Sequence, residues 1–142
     1  MNEPAPNAYQ KHITVTPSDL DDQSRVGNVR VLDWMNQAAE EHSSALGFDW
    51  ARYEAIGGMF VVRKHEVVYF AAAFEGDELT GFTWCTGQDK IRATRQHEIR
   101  RKSDGVLIAK CTTLWIFVDV KSGKPKRMPP EVREAFDPAH FV

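Results

Sequence analysis

Cysteine is scarce. The 142-residue chain has two, Cys85 and Cys111. They do not form a Cys-x-x-Cys pair, so neither a zinc site nor a disulfide framework is expected. Both fall in strand-like runs, where a thiol packs as a small apolar group. Long apolar runs are also missing, and nothing approaches the roughly 20 residues of a membrane helix. The N-terminal MNEPAPNAYQ lacks a basic patch followed by an apolar segment. No signal peptide is therefore expected, and the cytoplasmic compartment is the default. Positive charge is not in excess: 18 Lys and Arg stand against 20 Asp and Glu, a formal net charge of -2. That argues against a nucleic-acid partner. What is present, 42% hydrophobic and 27% charged residues, is the composition of a soluble globular chain of one core.

Hydrophobic periodicity divides the chain. Residues 1–9 read as a loose tail, and residues 10–142 as one domain. QKHITVT (10–16) alternates and reads as a short strand. From Asn28 to Leu46 the period changes: Val31, Leu32, Met35, Ala38, Ala39, His42 and Leu46 recur at spacings of three and four, one stripe of a long helix. Gly47 follows as a stop. Asp49 to Ala55 suits a short second helix. MFVVRKHEVVYF (59–70), ELTGFTWCTG (78–87), KIRATRQHEIRR (90–101) and VLIAKCTTLWIFVDV (106–120) then read as four strands in meander spacing. Asp104-Gly105 marks a hairpin between the last two. Pro130 opens a terminal helix. The order implies an α+β arrangement, a mostly antiparallel five-stranded sheet wrapped around one helix.

Directly before the long helix stands SDLDDQSRVGN (18–28). Asp19, Asp21 and Asp22 crowd the helix start, where unpaired N–H groups and the helix dipole favour negative charge. One reading is capping, worth about 1 kcal/mol. The other uses the same physics for chemistry. N–H groups that favour a carboxylate also stabilise an oxyanion on a substrate carbonyl, and an adjacent Asp can attack that carbonyl or activate water against it. Gly27 would let a substrate approach the backbone closely.

Asp-Leu-Asp-x-x-x-x-Val-x-Asn (19–28), followed by an apolar-striped helix ending in Leu-Gly, resembles the hotdog-fold acyl-CoA thioesterases of the 4-hydroxybenzoyl-CoA thioesterase type. It is also similar to the acyl-acyl-carrier-protein thioesterases. FVVRKHEVVYFAAAFEGDEL, the Asp-Gly hairpin between Lys90 and Val120, and GKPKRMPPEVREAF continue the resemblance to about residue 136. It implies a hotdog fold, a long helix wrapped by an antiparallel sheet, with subunits paired edge to edge as a homodimer or homotetramer and active sites at the interface. It further implies Asp21 as the catalytic carboxylate and the backbone N–H near Asn28 as the group that polarises the thioester carbonyl. The family pattern after the acid, Gly-His-Val-Asn-Asn, is here Ser24-Arg25-Val26-Gly27-Asn28. Arginine cannot serve as a base. Arg25 would instead pair with Asp21 or clamp an anionic part of the substrate.

Other residues carry competing readings. Glu40 and Glu41 lie on or near the polar side of the helix, solvated or facing a second subunit, although a branch of the fold uses a helix Glu as its acid. His42, within the stripe, reads as a hydrogen-bonded core histidine. His65 and His97 lie mid-strand, in facing or pairing roles. Lys90, Arg92, Arg95, Arg100, Arg101 and Lys102 form a basic cluster. It is either a charged edge that deters aggregation or a contact for the phosphates of coenzyme A or phosphopantetheine. For the latter, Lys90 and Arg92 are the choices. Trp34, Trp84, Trp115, Phe60 and Phe117 are core aromatics, and Phe60, Val61 and Val62 are candidates for an acyl pocket.

The expected function is hydrolysis of an acyl-CoA or acyl carrier protein thioester, with no metal and no cofactor beyond the coenzyme A of the substrate. Two alternatives stand beside it. One is a non-catalytic acyl-thioester or partner-binding protein with Asp21 as a cap. The other is hydration or dehydration of an acyl thioester, for which His42 with Glu41, or His65, would supply the acid–base pair.

Overall fold

In the computed structural model, which describes residues 3–142, an 18-residue helix, α1 (Asn28–Ala45), lies against a five-stranded antiparallel sheet. The strands are β1 (Tyr9–Thr14), β2 (Gly58–Tyr69), β3 (Glu78–Gln88), β4 (Arg92–Arg101) and β5 (Leu107–Asp119). Two shorter helices are α2 (Trp50–Ile56) and α3 (Pro130–Ala135), and 3-10 turns occupy Pro17–Asp19 and Pro138–Phe141. This is the expected α+β hotdog arrangement. Tyr9, placed in the expected tail, begins β1, and Asn7 donates to the His140 carbonyl at 3.1 Å. The expected tail also includes Met1 and Asn2, which lie outside the described residues.

The strand order is β1-β3-β4-β5-β2. The expected four-strand meander is thereby corrected: only β3, β4 and β5 follow one another. β2 pairs along β5, from Gly58↔Asp119 to Tyr69↔Ala109, with a bulge between Val62 and Lys64. The reason is the helix. α1 crosses the sheet face after β1, so the chain re-enters the sheet at the far edge. As an edge strand, β2 leaves Val61, Val62, Val68 and Tyr69 more than one-third exposed. The Asp104-Gly105 turn does join β4 to β5 as expected, with Gly105 at φ 72°, a backbone region that suits glycine.

α1 buries Val31, Trp34, Met35, Ala38, Ala39 and His42. Full burial of a side chain the size of Met35 is worth about 2 kcal/mol. Leu46, expected in the stripe, is exposed because it lies past the last turn, as the C-cap. The core is split. One apolar cluster, with Ile13, Trp34, Met35, Leu79 and Ile99, sits under the first half of α1. The other, with Phe48, Cys85, Phe117, Val132 and Phe136, sits beyond its second half. Between them runs a buried polar row: Thr83 on β3, Arg95 and His97 on β4, Thr113 on β5 and His42 on α1. The register sets these side by side, with Thr83 opposite His97 and Arg95 opposite Thr113.

Two outcomes follow for stability. A Cβ at Gly58 would lie 2.3 Å from a Phe117 ring carbon, and Phe117 is fully buried and cannot swing away. Gly58→Ala is expected to lower the unfolding free energy by about 1–3 kcal/mol, read by urea denaturation. Burial, helped by the nearby Arg95 charge, holds His42 at a pKa of about 4 and His97 at about 3, against an ordinary 6.5. The unfolded chain therefore takes up these protons first as pH drops. The stability they leave intact above pH 6.5 is lost towards the folded values, each adding a slope of up to about 1.4 kcal/mol per pH unit. Both ring nitrogens of His97 lack a hydrogen-bond partner among the described residues. His97→Leu is expected to stay within about 1 kcal/mol of wild type at pH 7 and to flatten the decline between pH 6.5 and 5.

Candidate active site

The three acids before α1 have separate fates. Asp19 is buried and structural. It accepts from the Thr16 N–H at 2.8 Å, the Thr16 hydroxyl at 3.1 Å and Arg30 Nε at 2.7 Å. Burial pushes its carboxyl up, but these hydrogen bonds and the Arg30 charge outweigh that and hold it below the usual range. Arg30 in turn belongs to the first turn of α1, so this ion pair ties the loop to the helix.

Asp21 and Asp22 are exposed. Asp21 sits in a tight turn. Its N–H donates to the Arg25 carbonyl at 2.8 Å, and its Oδ1 accepts the Gln23 N–H at 2.8 Å and the Arg25 N–H at 3.4 Å. The turn is closed by a Leu20↔Val26 bridge and carries Ser24 at φ 61°. The expected Asp21–Arg25 ion pair is not formed. The Arg25 guanidinium carbon instead lies 5.9 Å from the centre of the Phe74 ring. The backbone bonds of the turn already direct the Asp21 carboxylate, and the guanidinium lies over the π face of Phe74 instead.

Gly27 is the N-cap of α1 and offers no side chain to its N–H groups. A Cβ placed there would meet only the Asp21 Cβ, at 4.0 Å. The glycine thus keeps space open between Asp21 and the helix start. Val29 N–H is taken by Asn28 Oδ1 at 3.1 Å. The Asn28 N–H has no acceptor among the described residues. The end of β2 reaches this turn, where Tyr69 Oη donates to the Asn28 carbonyl at 2.8 Å.

The cavity lies elsewhere. About 370 Å³ is enclosed by the second half of α1, by α2, by the start of β2 and by β3, β4 and β5. Ala39, Glu40 and Ser43 form the helix wall; Tyr53, Phe60, Trp115 and Phe136 make much of the rest. At about 1.5 Å per residue, Gly27 and Glu40 stand about 20 Å apart along α1. Within one chain, Asp21, Arg25, Gly27 and Asn28 come together at one end of the helix, and the cavity is at the other.

Of the expected pocket residues, Phe60 lines the cavity. Val61 and Val62 do not; they lie exposed on the edge strand. Lys90 and Arg92 flank the turn into β4, just before the cavity-lining Ala93 and Thr94, and Arg92 Nε pairs with Asp89 at 2.9 Å. The basic cluster is not one surface. Arg100 pairs with Glu98 and Arg101 with Asp77 and Asp104, while Arg95 turns inward into the cavity wall. Strand alternation was the signal that could have separated Arg95 from its neighbours. Glu41 is held by Lys11 Nζ at 2.6 Å and Tyr9 Oη at 3.3 Å, whereas Nδ1 of His42 accepts from Arg95 Nη1 at 2.9 Å. The two residues face different partners and form no acid–base pair. His65 Nδ1 lies 2.8 Å from the Thr113 hydroxyl. Among the described residues no three His, Cys, Asp or Glu side chains converge to hold a metal ion, and no helix is long and apolar enough to cross a membrane.

Comparison with known proteins gives this geometry a family. Solved structures of like fold include a 1,4-dihydroxy-2-naphthoyl-CoA thioesterase from Synechocystis. It is 19% identical, with a TM-score of 0.83 over 92% of this chain and 96% of that one. A DHNA-CoA thioesterase from Staphylococcus aureus is 22% identical, with a TM-score of 0.83 over 94% and 91%. A hypothetical protein from Staphylococcus aureus in complex with CoA is 13% identical, with a TM-score of 0.88 over 99% and 87%. No curated protein matches the chain. The family model described as the thioesterase-like superfamily matches residues 15–136. With that match running from the end of β1 through α3, the chain belongs to the thioesterase-like superfamily.

Proposed function

We propose that the protein hydrolyses acyl-CoA or acyl carrier protein thioesters in a site assembled from two copies of the chain. The observation that carries this reading is the course of β2. Its start, Met59 and Phe60, lines the cavity, and its end, Tyr69, is bonded to the first turn of α1. β2 is also an open sheet edge, on which Val61, Val62, Val68 and Tyr69 are exposed beside Arg63, Lys64 and Glu66. Two copies pairing antiparallel along this edge about a two-fold axis bring the start of one β2 opposite the end of the other. The partner copy then delivers its helix mouth and its acid to the cavity of the first. The 20 Å gap within one chain becomes a contact between two.

In such a site the acyl group occupies the cavity and the thioester carbonyl lies at the mouth of α1. The Asn28 N–H, at the positive end of the helix, donates to the developing oxyanion. Asp21 takes a proton from water as the water oxygen bonds to the carbonyl carbon, or attacks that carbon itself to form an anhydride that water then opens. The carbon–sulfur bond breaks, and the thiol leaves with a proton. Lys90, which has no ion pair among the described residues, and Arg92 stand near the cavity rim as contacts for the phosphates of the carrier.

A second reading rests on Glu40, which lines the cavity of its own chain. Two substitutions separate the readings. Asp21→Asn is expected to cut turnover of acyl-CoAs at least about 100-fold, measured by thiol release, with Glu40→Gln within about threefold of wild type. The reverse pattern would transfer the chemistry to the helix acid.

The shared site has its own readout. Asp21→Asn chains co-expressed with Ala93→Phe chains, whose cavity is filled, are each inactive alone. In mixed dimers one of the two sites is intact, so the mixture is expected to regain about one quarter of wild-type turnover. No recovery would mean that each chain carries a complete site.

A further inference from the structure

Arg95 is unusual by any electrostatic reckoning. Its side chain is 6% exposed, in the wall of the cavity, and no carboxylate lies within ion-pair distance of it among the described residues. Buried cations are ordinarily paired, because removing a charge from water costs several kcal/mol. The guanidinium has five N–H donors. Nη1 uses two of them, on His42 Nδ1 at 2.9 Å and on the Thr83 hydroxyl at 3.0 Å. Nε and Nη2 have no acceptor among the described residues, and together they form one edge of the guanidinium, two parallel donors at the spacing of a carboxylate's oxygens. None of the groups packed around Arg95 supplies a negative charge. Burial and the arginine keep His42 neutral near pH 7, and burial pushes the Tyr53 hydroxyl to about 12 and the Cys85 thiol upward. Phe136 presents its ring 5.9 Å from the guanidinium carbon. The acids of the lining, Glu40 and Asp49, make no ion pair with it. A second donor waits in the same lining: the indole N–H of Trp115 is buried without an acceptor among the described residues.

We propose that the cavity selects an acyl group carrying a carboxylate at the end remote from the thioester, with Arg95 as the residue that receives it. The aromatic and aliphatic walls take the apolar body of the group, and the free Nε/Nη2 edge takes its anionic end. The Nη1 bonds to His42 and Thr83 hold the guanidinium in place before the ligand arrives, so little ordering is left to oppose binding. This inference rests on the cavity being the acyl site of the proposed thioesterase, and it adds the substrate's charge to that reading.

Binding is tested without turnover first. The probes are 4-methylbenzoate and 4-methylbenzamide, matched in shape and different in charge, titrated into wild-type protein by calorimetry. The acid is expected to bind at least about tenfold more tightly, and Arg95→Gln is expected to abolish the preference. If that variant does not fold, Arg95→Lys keeps the charge and loses the fork, and the preference is expected to shrink. An acid that binds no more tightly than its amide, or that keeps its full advantage in a folded Arg95 variant, overturns the proposal. Turnover is read separately on adipoyl-CoA and heptanoyl-CoA, similar in length, with kcat/KM expected to favour the first at least about tenfold. Binding preference without hydrolysis of either thioester leaves the carboxylate site standing and removes the thioesterase reading. Hydrolysis of both at equal rates, with no preference in binding, does the opposite.

Discussion

The structure depends on one helix lying flat on one face of a sheet. α1 is held there by its apolar side chains, and Ala38 and Ala39 allow its second half to approach closely. Two polar ties set its position along the sheet. Arg30 joins the first turn to Asp19 in the preceding loop, and His42 joins the second half to Arg95 on β4. With the helix so fixed, its positive end opens beside the Asp21 turn and its other half roofs the cavity. The separation between those two places is a consequence of helix length.

The polar row across the middle of the core has an energetic cost that apolar side chains would not incur. Thr83 and Thr113 are fully buried, and His97 is nearly so, with both ring nitrogens unbonded among the described residues. A fold selected only for stability would fill these positions with apolar groups of the same volume. The row instead places one cation against an apolar-walled cavity of about 370 Å³. Burial makes that cation effective: an attraction that water would screen is several times stronger where the dielectric is low.

Much of this was legible in the sequence. The three-and-four spacing from Val31 to His42 marks the helix, alternation marks the strands, and Asp104-Gly105 marks the hairpin, because each is a local property of backbone geometry. Less legible was anything that depends on which elements meet. β2 reads like a strand of a meander, yet its neighbour is β5, since pairing order is set by where the helix delivers the chain. Asp19 and Asp21 look equivalent, and only the reach of Arg30 makes one structural. Arg95 counts as one more positive charge in a basic stretch until strand pairing turns it inward. The acids were visible from the start, but their distance from the cavity was not, because it depends on how α1 lies against the sheet.

The two thiols carry a practical consequence. Cys85 and Cys111 are both buried, and burial pushes both above the ordinary thiol range, so little thiolate is present near neutral pH. In the folded state such sulfurs react slowly with disulfide dyes. A colorimetric count of sulfhydryls in solution therefore registers any added or released small thiol above a nearly silent protein background. Cys85 also borders the cavity, so a ligand that fills this space lies against its thiol and shields it further.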